Sequence, residues 1–415
     1  MTQNNRIYST LAALGVAASF GAASATAGDY GKLVIDDKAP IEAAWSFCDI
    51  FGYNTLYKGD GFIKEVSFHG RYHGQFISGD EEINGITNNG YHEWHHRRFR
   101  LALEVAMAND LTFYAEANIP DGTGNSTGLY NPGSPFFNDF QDLYLEWEPS
   151  DDFYLKVGKQ KQHLTREDIE SSKRIKTVER SAIVNEVAGA RPWGAVVGFS
   201  TGELFHEIGG WVHGAHADSP EWVDMSSNGG FSYNLTIPYS DTTTFFFDYV
   251  FVDNNGGNDS AQGTAANGTS GAAYEHAIAI GTEIESGRFQ LISDFIYGAN
   301  RSSGGGIPSG NDTWGFYVIP SYDITDKLEA VFRYSYMAEG REQRPQRFGD
   351  PLGGDFSDGR QSVENYHTIY AGLQYFICGE KLKVMGGYEY ATGDIFGTND
   401  ELTNGQWQVA VRTYW

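Results

Sequence analysis

Apolar and polar residues alternate along the chain from about residue 62 to its end. In the last ten residues one set contains Trp407, Val409, Val411, Thr413 and Trp415, and the other contains Gln406, Gln408, Ala410, Arg412 and Tyr414. Within such runs the charged residues fall on one face only. The runs are close to the 9–11 residues with which a tilted strand crosses a bilayer. The pattern therefore predicts an all-β protein.

The joins between the predicted strands alternate between short turns and long loops rich in Gly, Asn, Asp and Ser. The sixteen strands are predicted at 62–78, 91–107, 111–120, 138–148, 152–161, 191–200, 204–214, 229–238, 242–252, 273–285, 288–299, 314–323, 327–338, 364–377, 381–391 and 405–415. The long loops are predicted at 79–90, 121–137, 162–190, 215–228, 253–272, 300–313, 339–363 and 392–404. A soluble sandwich also alternates, but this loop layout favours a transmembrane antiparallel β-barrel of about 16 strands with an aqueous lumen.

The first 27 residues have the features of a secretory signal peptide. Residues 1–9 carry one charge, residues 10–23 are uncharged, and Ala25-Thr26-Ala27 is a small-residue cleavage pattern. We expect residues 28–61 to form a periplasmic segment, with a short amphipathic helix at 40–51, and residues 62–415 to form the barrel. The expected location is the bacterial outer membrane.

The chain is strongly acidic, with 29 Lys+Arg against 54 Asp+Glu among 415 residues, a net charge of −25. This balance argues against nucleic acid as a partner, because such binding needs a basic face. Aromatic residues make up 15% of the chain, and those near strand ends are expected at the two membrane interfaces.

Residues 140–200 contain motifs that resemble the phosphate-selective porin O and P family. These are Lys156-Val-Gly-Lys-Gln-Lys161, Leu164-Thr-Arg-Glu167, Ser171-Ser172, Val178-Glu-Arg-Ser181 and Gly189-Ala-Arg-Pro-Trp-Gly194. The terminal Trp415 is similar to the carboxy-terminal signal read by the outer-membrane assembly machinery. The resemblance implies a homotrimer of sixteen-stranded channels with passive, anion-leaning permeation. The chain differs from the phosphate-specific members in its acidity, and it has no dense lysine cluster or long arginine ladder.

The loop at 162–190 is the candidate constriction. From Lys156 to Arg191 nine basic residues stand against five acids, a local charge of +4. Folded into the lumen, such a loop would favour anion entry. The candidate selectivity residues are Arg71, Arg98, Arg100, Arg166, Lys173, Arg174, Lys176 and Arg180. The alternative is that these bases pair with acids and only rigidify the loop.

The sequence thus predicts a porin, a passive diffusion channel for small hydrophilic solutes, with lipid and lipopolysaccharide around it. An alternative is a carbohydrate channel in which Tyr114, Tyr144 and Tyr154 stack against sugar rings. An enzyme is disfavoured because no nucleophile, base and orienting group cluster in the sequence. The segment Gly198-Phe-Ser-Thr-Gly202 matches a hydrolase pattern, but a strand followed by a tight turn is the wrong context for that motif.

No metal or cofactor is expected. The histidines His69, His73, His92, His95 and His96 lack the compact spacing of a tetrahedral site. The acidic loop at 253–259 could hold Ca²⁺, although it lacks the spaced bidentate Glu of a dedicated site. Acidic outer loops could also bind divalent ions that bridge lipopolysaccharide.

Cys48 and Cys378 are the only cysteines. Cys48 precedes the first strand and Cys378 lies in a predicted short turn, so both should face the periplasm, which is oxidising. We expect one disulfide between the amino-terminal segment and the turn between the fourteenth and fifteenth strands.

Overall fold

The computed structural model describes residues 46–52, 54–119, 139–188, 191–212, 229–253, 274–301, 312–341 and 362–415. The predicted signal peptide, most of the predicted helix at 40–51 and all but the first residue of the candidate Ca²⁺ loop lie outside these ranges. None of the helices among the described residues is long and apolar enough to cross a membrane.

Strands make up most of the described chain. They are β1 Thr55–Lys58, β2 Ile63–Ile83, β3 Ile86–Met107, β4 Leu111–Asn118, β5 Asp139–Ser150, β6 Phe153–Lys159, β7 Trp193–Thr201, β8 Leu204–Val212, β9 Gly229–Ser240, β10 Thr243–Val252, β11 Tyr274–Ser286, β12 Phe289–Arg301, β13 Thr313–Thr325, β14 Leu328–Arg341, β15 Ser362–Phe376, β16 Leu382–Ile395 and β17 Glu401–Tyr414. Three short helices accompany them, at Phe47–Gly52, Arg166–Ile169 and Ala182–Val187.

The strands β2 to β17 form a closed barrel. Each pairs antiparallel with the next, and β17 pairs with β2 from Leu402↔Ile83 to Tyr414↔Arg71. The predicted antiparallel barrel of sixteen strands is therefore confirmed. Closure satisfies the backbone groups of every spanning strand without leaving an open edge in lipid.

The predicted facing of the strand residues is also confirmed. On β17, Trp407 is 63% exposed on the outer surface, whereas its neighbour Gln408 is 1% exposed on the inside. On β14, Phe332 faces outward and Arg333 faces inward with 2% exposure. Alternation in a strand places successive side chains on opposite faces, so the inward set defines the lumen.

The prediction of a long loop at 79–90 is wrong. Strand β2 continues to Ile83 and β3 begins at Ile86, joined by Asn84 and Gly85 with φ of 52° and 73°. Two consecutive residues with positive φ form the tight turn that an Asn-Gly pair favours. The polar residues around Asn84 and Gly85 are typical of a loop, but the Asn-Gly pair forms a two-residue turn and the strands continue up to it on both sides.

The last predicted long loop, 392–404, is also mostly strand. Strand β16 continues to Ile395 and β17 begins at Glu401, which leaves only residues 396–400 as a connection. The inward side chains Ile395 and Leu402 are buried, at 6% and 1% exposure. Burial of these apolar groups inside the barrel explains why the strands extend.

The amino-terminal segment lies beside β2, past the point where the pairing of β17 with β2 ends. Cys48 in the helix Phe47–Gly52 is disulfide-bonded to Cys378, with their Cα atoms 5.3 Å apart, inside the range for such bonds. Lys381 Nζ donates to the Phe51 carbonyl (3.0 Å). Strand β1 then pairs with β2 from Thr55↔Ser67 to Lys58↔Glu65, so it covers an edge of β2 that β17 does not reach.

Candidate pore constriction

The segment between β6 and β7, described at residues 160–188 and 191–192, folds into the barrel and is named the inner loop. Its helix Arg166–Ile169 contacts β12, and its helix Ala182–Val187 contacts β12, β13 and β14. Thr165 caps the first helix, because its side-chain hydroxyl accepts a hydrogen bond from the Asp168 backbone N–H (3.2 Å). The inner loop therefore lies across the lumen.

Carboxylates on β10 and β12, with Tyr317 on β13, hold the start of the inner loop; this group is named the acidic wall. The Thr165 N–H donates to Asp248 Oδ2 (3.0 Å) and the Arg166 N–H donates to Asp294 Oδ2 (2.6 Å). The next N–H, of Glu167, donates to Tyr317 Oη (2.8 Å). Three successive backbone donors are thus satisfied by wall side chains, which buried N–H groups require.

The helix Ala182–Val187 fixes the far end of the inner loop through apolar contacts. Ile183 and Val187 are 0% exposed. They belong to a cluster with inward residues of β10 to β17, among them Val250, Ile296, Ile319, Val331, Met337, Tyr366 and Leu402. On this side a hydrophobic cluster attaches the inner loop to the barrel wall. The inward positions of these strands are apolar enough to bury the helix.

Arginines on β14 and β17 hold the middle of the inner loop; Arg333 and Arg412 are named the arginine wall. Arg333 Nη1 donates to Glu167 Oε1 (3.1 Å), Thr177 Oγ1 (3.0 Å) and the Glu179 carbonyl (2.6 Å). Its Nη2 donates to Glu389 Oε2 on β16 (2.5 Å). Arg333 is therefore a buried bridge between the loop and two strands.

Arg412 binds the inner loop through backbone carbonyls. Its Nη1 donates to the carbonyls of Ser172 and Ile175 (both 3.4 Å). Its Nη2 donates to the carbonyls of Thr177 (3.3 Å) and Val178 (2.5 Å). Arg412 is 1% exposed and forms no ion pair with any residue in the described ranges. Its hydrogen-bond partners are therefore backbone carbonyls of the inner loop.

The strands β2 and β3 bring a second set of arginines to the lumen. Arg71 donates to Ser172 Oγ of the inner loop (2.9 Å) and to Glu116 Oε2 on β4 (2.5 Å). Arg100 donates to Glu116 Oε1 (3.3 Å) and Asn118 Oδ1 (2.8 Å). One carboxylate thus holds two guanidinium groups.

A β-bulge adds an arginine that alternation places on the outside. His73 pairs with Arg98 and Gly74 pairs with His96, so Arg97 is the extra residue between them. Arg97 Nε donates to Glu179 Oε1 of the inner loop (2.7 Å). A bulge re-aims a side chain without a clear signal in the alternation pattern, which is why the sequence prediction omitted Arg97.

The predicted cations differ in how they are engaged. Arg98 and Lys173 form no ion pair within the described part of the chain, and Arg98 Nη1 is buried with no hydrogen-bond partner there. Lys173 Nζ lies 4.7 Å from the centroid of the Tyr414 ring. Burial, with the neighbouring Arg71, lowers the pKa of Lys173 to about 8. These two residues supply cationic groups that form no direct ion pair with a described carboxylate.

The other predicted loop cations are bound within the protein. Lys176 Nζ pairs with Glu329 Oε1 on β14 (2.6 Å), and Arg174 pairs with Glu170 (2.8 Å). Arg180 donates to carbonyls of the inner loop, of Glu167 (2.8 Å) and of Glu170 (3.0 Å). The Arg166 guanidinium lies over the Phe246 ring, 3.7 Å from its centroid, on the acidic side of the lumen.

Glu179 joins the inner loop to the β2 and β3 cations. It accepts from Gln75 Nε2 (2.8 Å) as well as from Arg97. Burial alone would raise the pKa of its carboxyl, but Arg97 and Arg98 hold that pKa well below its usual value. Glu179 therefore stays ionised in the folded barrel.

The three lumen tyrosines lie together on β4, β5 and β6. The rings of Tyr114 and Tyr144 stack at a centroid distance of 5.3 Å. Lys156 Nζ lies 4.8 Å from the Tyr144 centroid and 5.3 Å from the Tyr154 centroid. Each ring is therefore already engaged by a protein group.

Within the described ranges no three His, Cys, Asp or Glu side chains are grouped in a way that could hold a metal ion. The histidine His69 instead approaches Glu104 (Nε2 to Oε2, 3.5 Å). Ser200 of the hydrolase-like segment lies in β7, which turns directly into β8.

A closed sixteen-stranded barrel with short turns at one end and a loop folded into its lumen is the architecture of an outer-membrane porin. Residues 66–236 match the sequence model of the family described as phosphate-selective porin O and P. The match runs from β2 into β9 and includes the inner loop, and it confirms the family resemblance found in the sequence. No curated protein matched the sequence.

Several solved structures have a similar fold. The anion-selective porin of Comamonas acidovorans has a TM-score of 0.53 and 12% identity, covering 84% of this chain and 99% of that one. OprB of Pseudomonas putida, at high pH, has a TM-score of 0.53 and 10% identity, covering 84% and 94%. The trimer form of OmpT of Vibrio cholerae has a TM-score of 0.50 and 13% identity, covering 84% and 99%. At these identities the likeness concerns the fold.

Proposed function

We propose that this protein is an anion-leaning outer-membrane porin, a passive diffusion channel for small hydrophilic solutes with no catalytic turnover. The inner loop narrows its bore. The observation that carries the anion preference is the presence of Arg98 and Lys173 beside the inner loop with no ion pair to a described residue. Cations that are not held in an ion pair at a narrow point raise the local concentration of anions.

The remaining predicted cations contribute differently. Arg71 and Arg100 share Glu116, and Arg174, Lys176 and Arg180 are engaged by acids or carbonyls. We assign these residues to the shape of the constriction more than to its charge. We therefore propose that both alternatives drawn from the sequence, a selectivity filter and a rigid ion-paired loop, apply, each to different members of the set.

The test is single-channel recording in a planar bilayer under a KCl gradient. We expect an anion-favouring reversal potential that moves toward zero in the double variant Arg98→Gln, Lys173→Gln. The matched control is Lys327→Gln, which changes charge equally per site at an exposed turn between β13 and β14. A reversal potential unchanged by the double variant would contradict the assignment. A folded, inserted barrel with no conductance would contradict the channel itself.

Solute addition to the same membranes separates the two solute classes. Phosphate should reduce the chloride current in an anion channel, whereas maltooligosaccharide should leave it unchanged. Saccharide block that disappears in Tyr144→Ala would instead support the carbohydrate alternative. The tyrosine rings engaged by each other and by Lys156 do not favour that outcome.

We also propose export through the signal peptide at 1–27, cleaved after Ala27, and assembly as a homotrimer in the outer membrane. The trimer form of the similarly folded OmpT supports the assembly state. Openings in groups of three in the bilayer, with a cross-linked trimer on a denaturing gel, would be the expected result. A purified protein with one conducting unit per particle would contradict it.

A further inference from the structure

We infer that Arg412 is the positioning residue that sets the shape of the constriction, an assignment that rests on the proposed channel function. Its two Nη atoms carry four N–H groups, and these meet four carbonyls between Ser172 and Val178. Sequence reasoning placed Arg412 on the inward face but gave it no role. In the structure this one side chain forms hydrogen bonds to four carbonyls in the irregular middle of the inner loop.

The backbone carbonyls of the segment that Arg412 binds need hydrogen-bond partners from outside the segment. Residues 170–181 are in neither helix nor strand, so their carbonyls lack the repeating partners of regular structure. Buried carbonyls without partners are costly. A guanidinium is planar and presents its donors in a fixed fork, which suits several carbonyls of one turn. A lysine ammonium has three donors at one point and cannot span the same set.

The same segment carries residues that shape the anion path. Ser172 accepts from Arg71, and Lys173 and Lys176 follow it in the chain. Val178 packs with Met385 and Ala410 next to Arg412, at 0%, 1% and 1% exposure. Fixing the carbonyls on both sides of Lys173 therefore fixes where its ammonium lies in the lumen.

Charge and position are separable in Arg412. A role through charge predicts that Arg412→Lys behaves like the native protein. A positioning role predicts that Arg412→Lys gives a noisier single-channel current of altered conductance, while its reversal potential stays close to native. Arg412→Gln should have the same noise with a further small shift in reversal potential. Native conductance and noise in Arg412→Lys would overturn the inference.

A rescue variant tests position directly. Val178→Cys with Ala410→Cys, added to Arg412→Gln, should form a disulfide that ties the inner loop back to β17. Oxidation should restore the quiet current, and reduction should abolish it. Arg412→Gln under the same redox treatment is the control, because reduction also reaches the native Cys48–Cys378 bond. Formation of the new disulfide with no recovery of the current would overturn the inference.

Amide hydrogen exchange separates this inference from the channel function. In Arg412→Lys the amides at 170–181 should exchange roughly ten- to hundredfold faster, because hydrogen bonds to a charged group stabilise by about that factor. Strand amides should be unchanged. This readout needs no current, so a barrel that fails to conduct would contradict the proposed function while the inner-loop amides still decide the role of Arg412. Equal exchange in both proteins would overturn it.

Discussion

The acidic wall and the arginine wall hold the same loop with opposite chemistry. On β10 and β12, Asp248 and Asp294 accept hydrogen bonds from backbone N–H groups at the start of the inner loop. On β14 and β17, Arg333 and Arg412 donate to its carbonyls further along. Each wall matches the backbone groups that face it. A loop without long helices can therefore stay fixed in a wet lumen.

The comparison shows that a charged lumen residue is not by that fact a selectivity residue. The arginine wall is occupied by loop carbonyls and carboxylates, and the acidic wall is occupied by loop N–H groups. Arg98 and Lys173, near β2 and β3, are predicted selectivity residues whose cationic groups form neither an ion pair nor a hydrogen bond to a loop carbonyl among the described residues. Selectivity is therefore expected to depend on few residues, and stability on many.

The largest expected effect follows from breaking the arginine wall at Arg333. In Arg333→Met the buried carboxylates of Glu167 and Glu389 lose their guanidinium. Removing one partner of a buried pair costs about 3–5 kcal/mol. Thermal unfolding in detergent should therefore begin at a clearly lower temperature.

The control for Arg333→Met is Lys58→Met, which removes a pair with Glu65 whose lysine is 48% exposed. Exposed pairs are worth about 0–1 kcal/mol, so its unfolding temperature should stay near native. Equal shifts in the two variants would show that the arginine wall does not hold the loop.

A smaller effect is expected from the acidic wall. Asp294→Ala removes the acceptor of the Arg166 N–H and of the Tyr317 hydroxyl. Leaving buried donors unsatisfied costs about 1–3 kcal/mol. We expect a moderate fall in unfolding temperature and faster amide exchange at Arg166.

Asp294→Asn keeps an oxygen acceptor and should fall between the native protein and Asp294→Ala. The exposed Asp323, near the end of β13, provides the control variant Asp323→Ala, with no expected change. Slow exchange at Arg166 in Asp294→Ala would mean that the acidic wall is not an anchor.

The smallest effect concerns pH and the cations outside both walls. Because the pKa of Lys173 is lowered to about 8, its ammonium is charged at neutral pH and loses its proton as pH rises through that value. The anion preference should therefore weaken between about pH 7 and about pH 9, well below the ordinary lysine range. Reversal potentials across this interval measure the change.

Lys173→Arg should remove this pH dependence, since a guanidinium remains charged throughout. A native anion preference that is flat across the interval would contradict the assignment of Lys173. A slope that persists in Lys173→Arg would assign the titration to another group.

Much of the fold could be predicted from alternation, because a strand that faces lipid on one side and the lumen on the other must alternate. Alternation does not determine where the strands end. Asn84 and Gly85 carry a local turn signal, but the polar residues around them resemble a loop. The ends of β16 and β17 depend on burial of Ile395 and Leu402 inside the barrel, which no local pattern reveals.

The candidate site was predictable only in part. The basic character of the inner loop is visible in the sequence, and the inward parity of Arg71, Arg98 and Arg100 follows from alternation. Which of them is neutralised depends on partners that are distant in sequence, such as Glu116 for Arg71. The inward position of Arg97 depends on a β-bulge that alternation does not reveal. The role of Arg412 depends on the path that the inner loop takes through the barrel.

The amino-terminal strand changes how the barrel closes. Strand β1 runs in line with β17 and pairs with β2 just below Gly70, where Trp415 makes its last backbone hydrogen bonds. The barrel is therefore closed along one edge of β2 by strands from both ends of the described chain, β1 and β17. The Cys48–Cys378 bond closes a covalent ring around β1 to β15 and leaves only β16 and β17 outside it. The disulfide does not require the final hairpin of β16 and β17. It can therefore link the two ends of the segment from β1 to β15 before β17 pairs with β2 and closes the barrel.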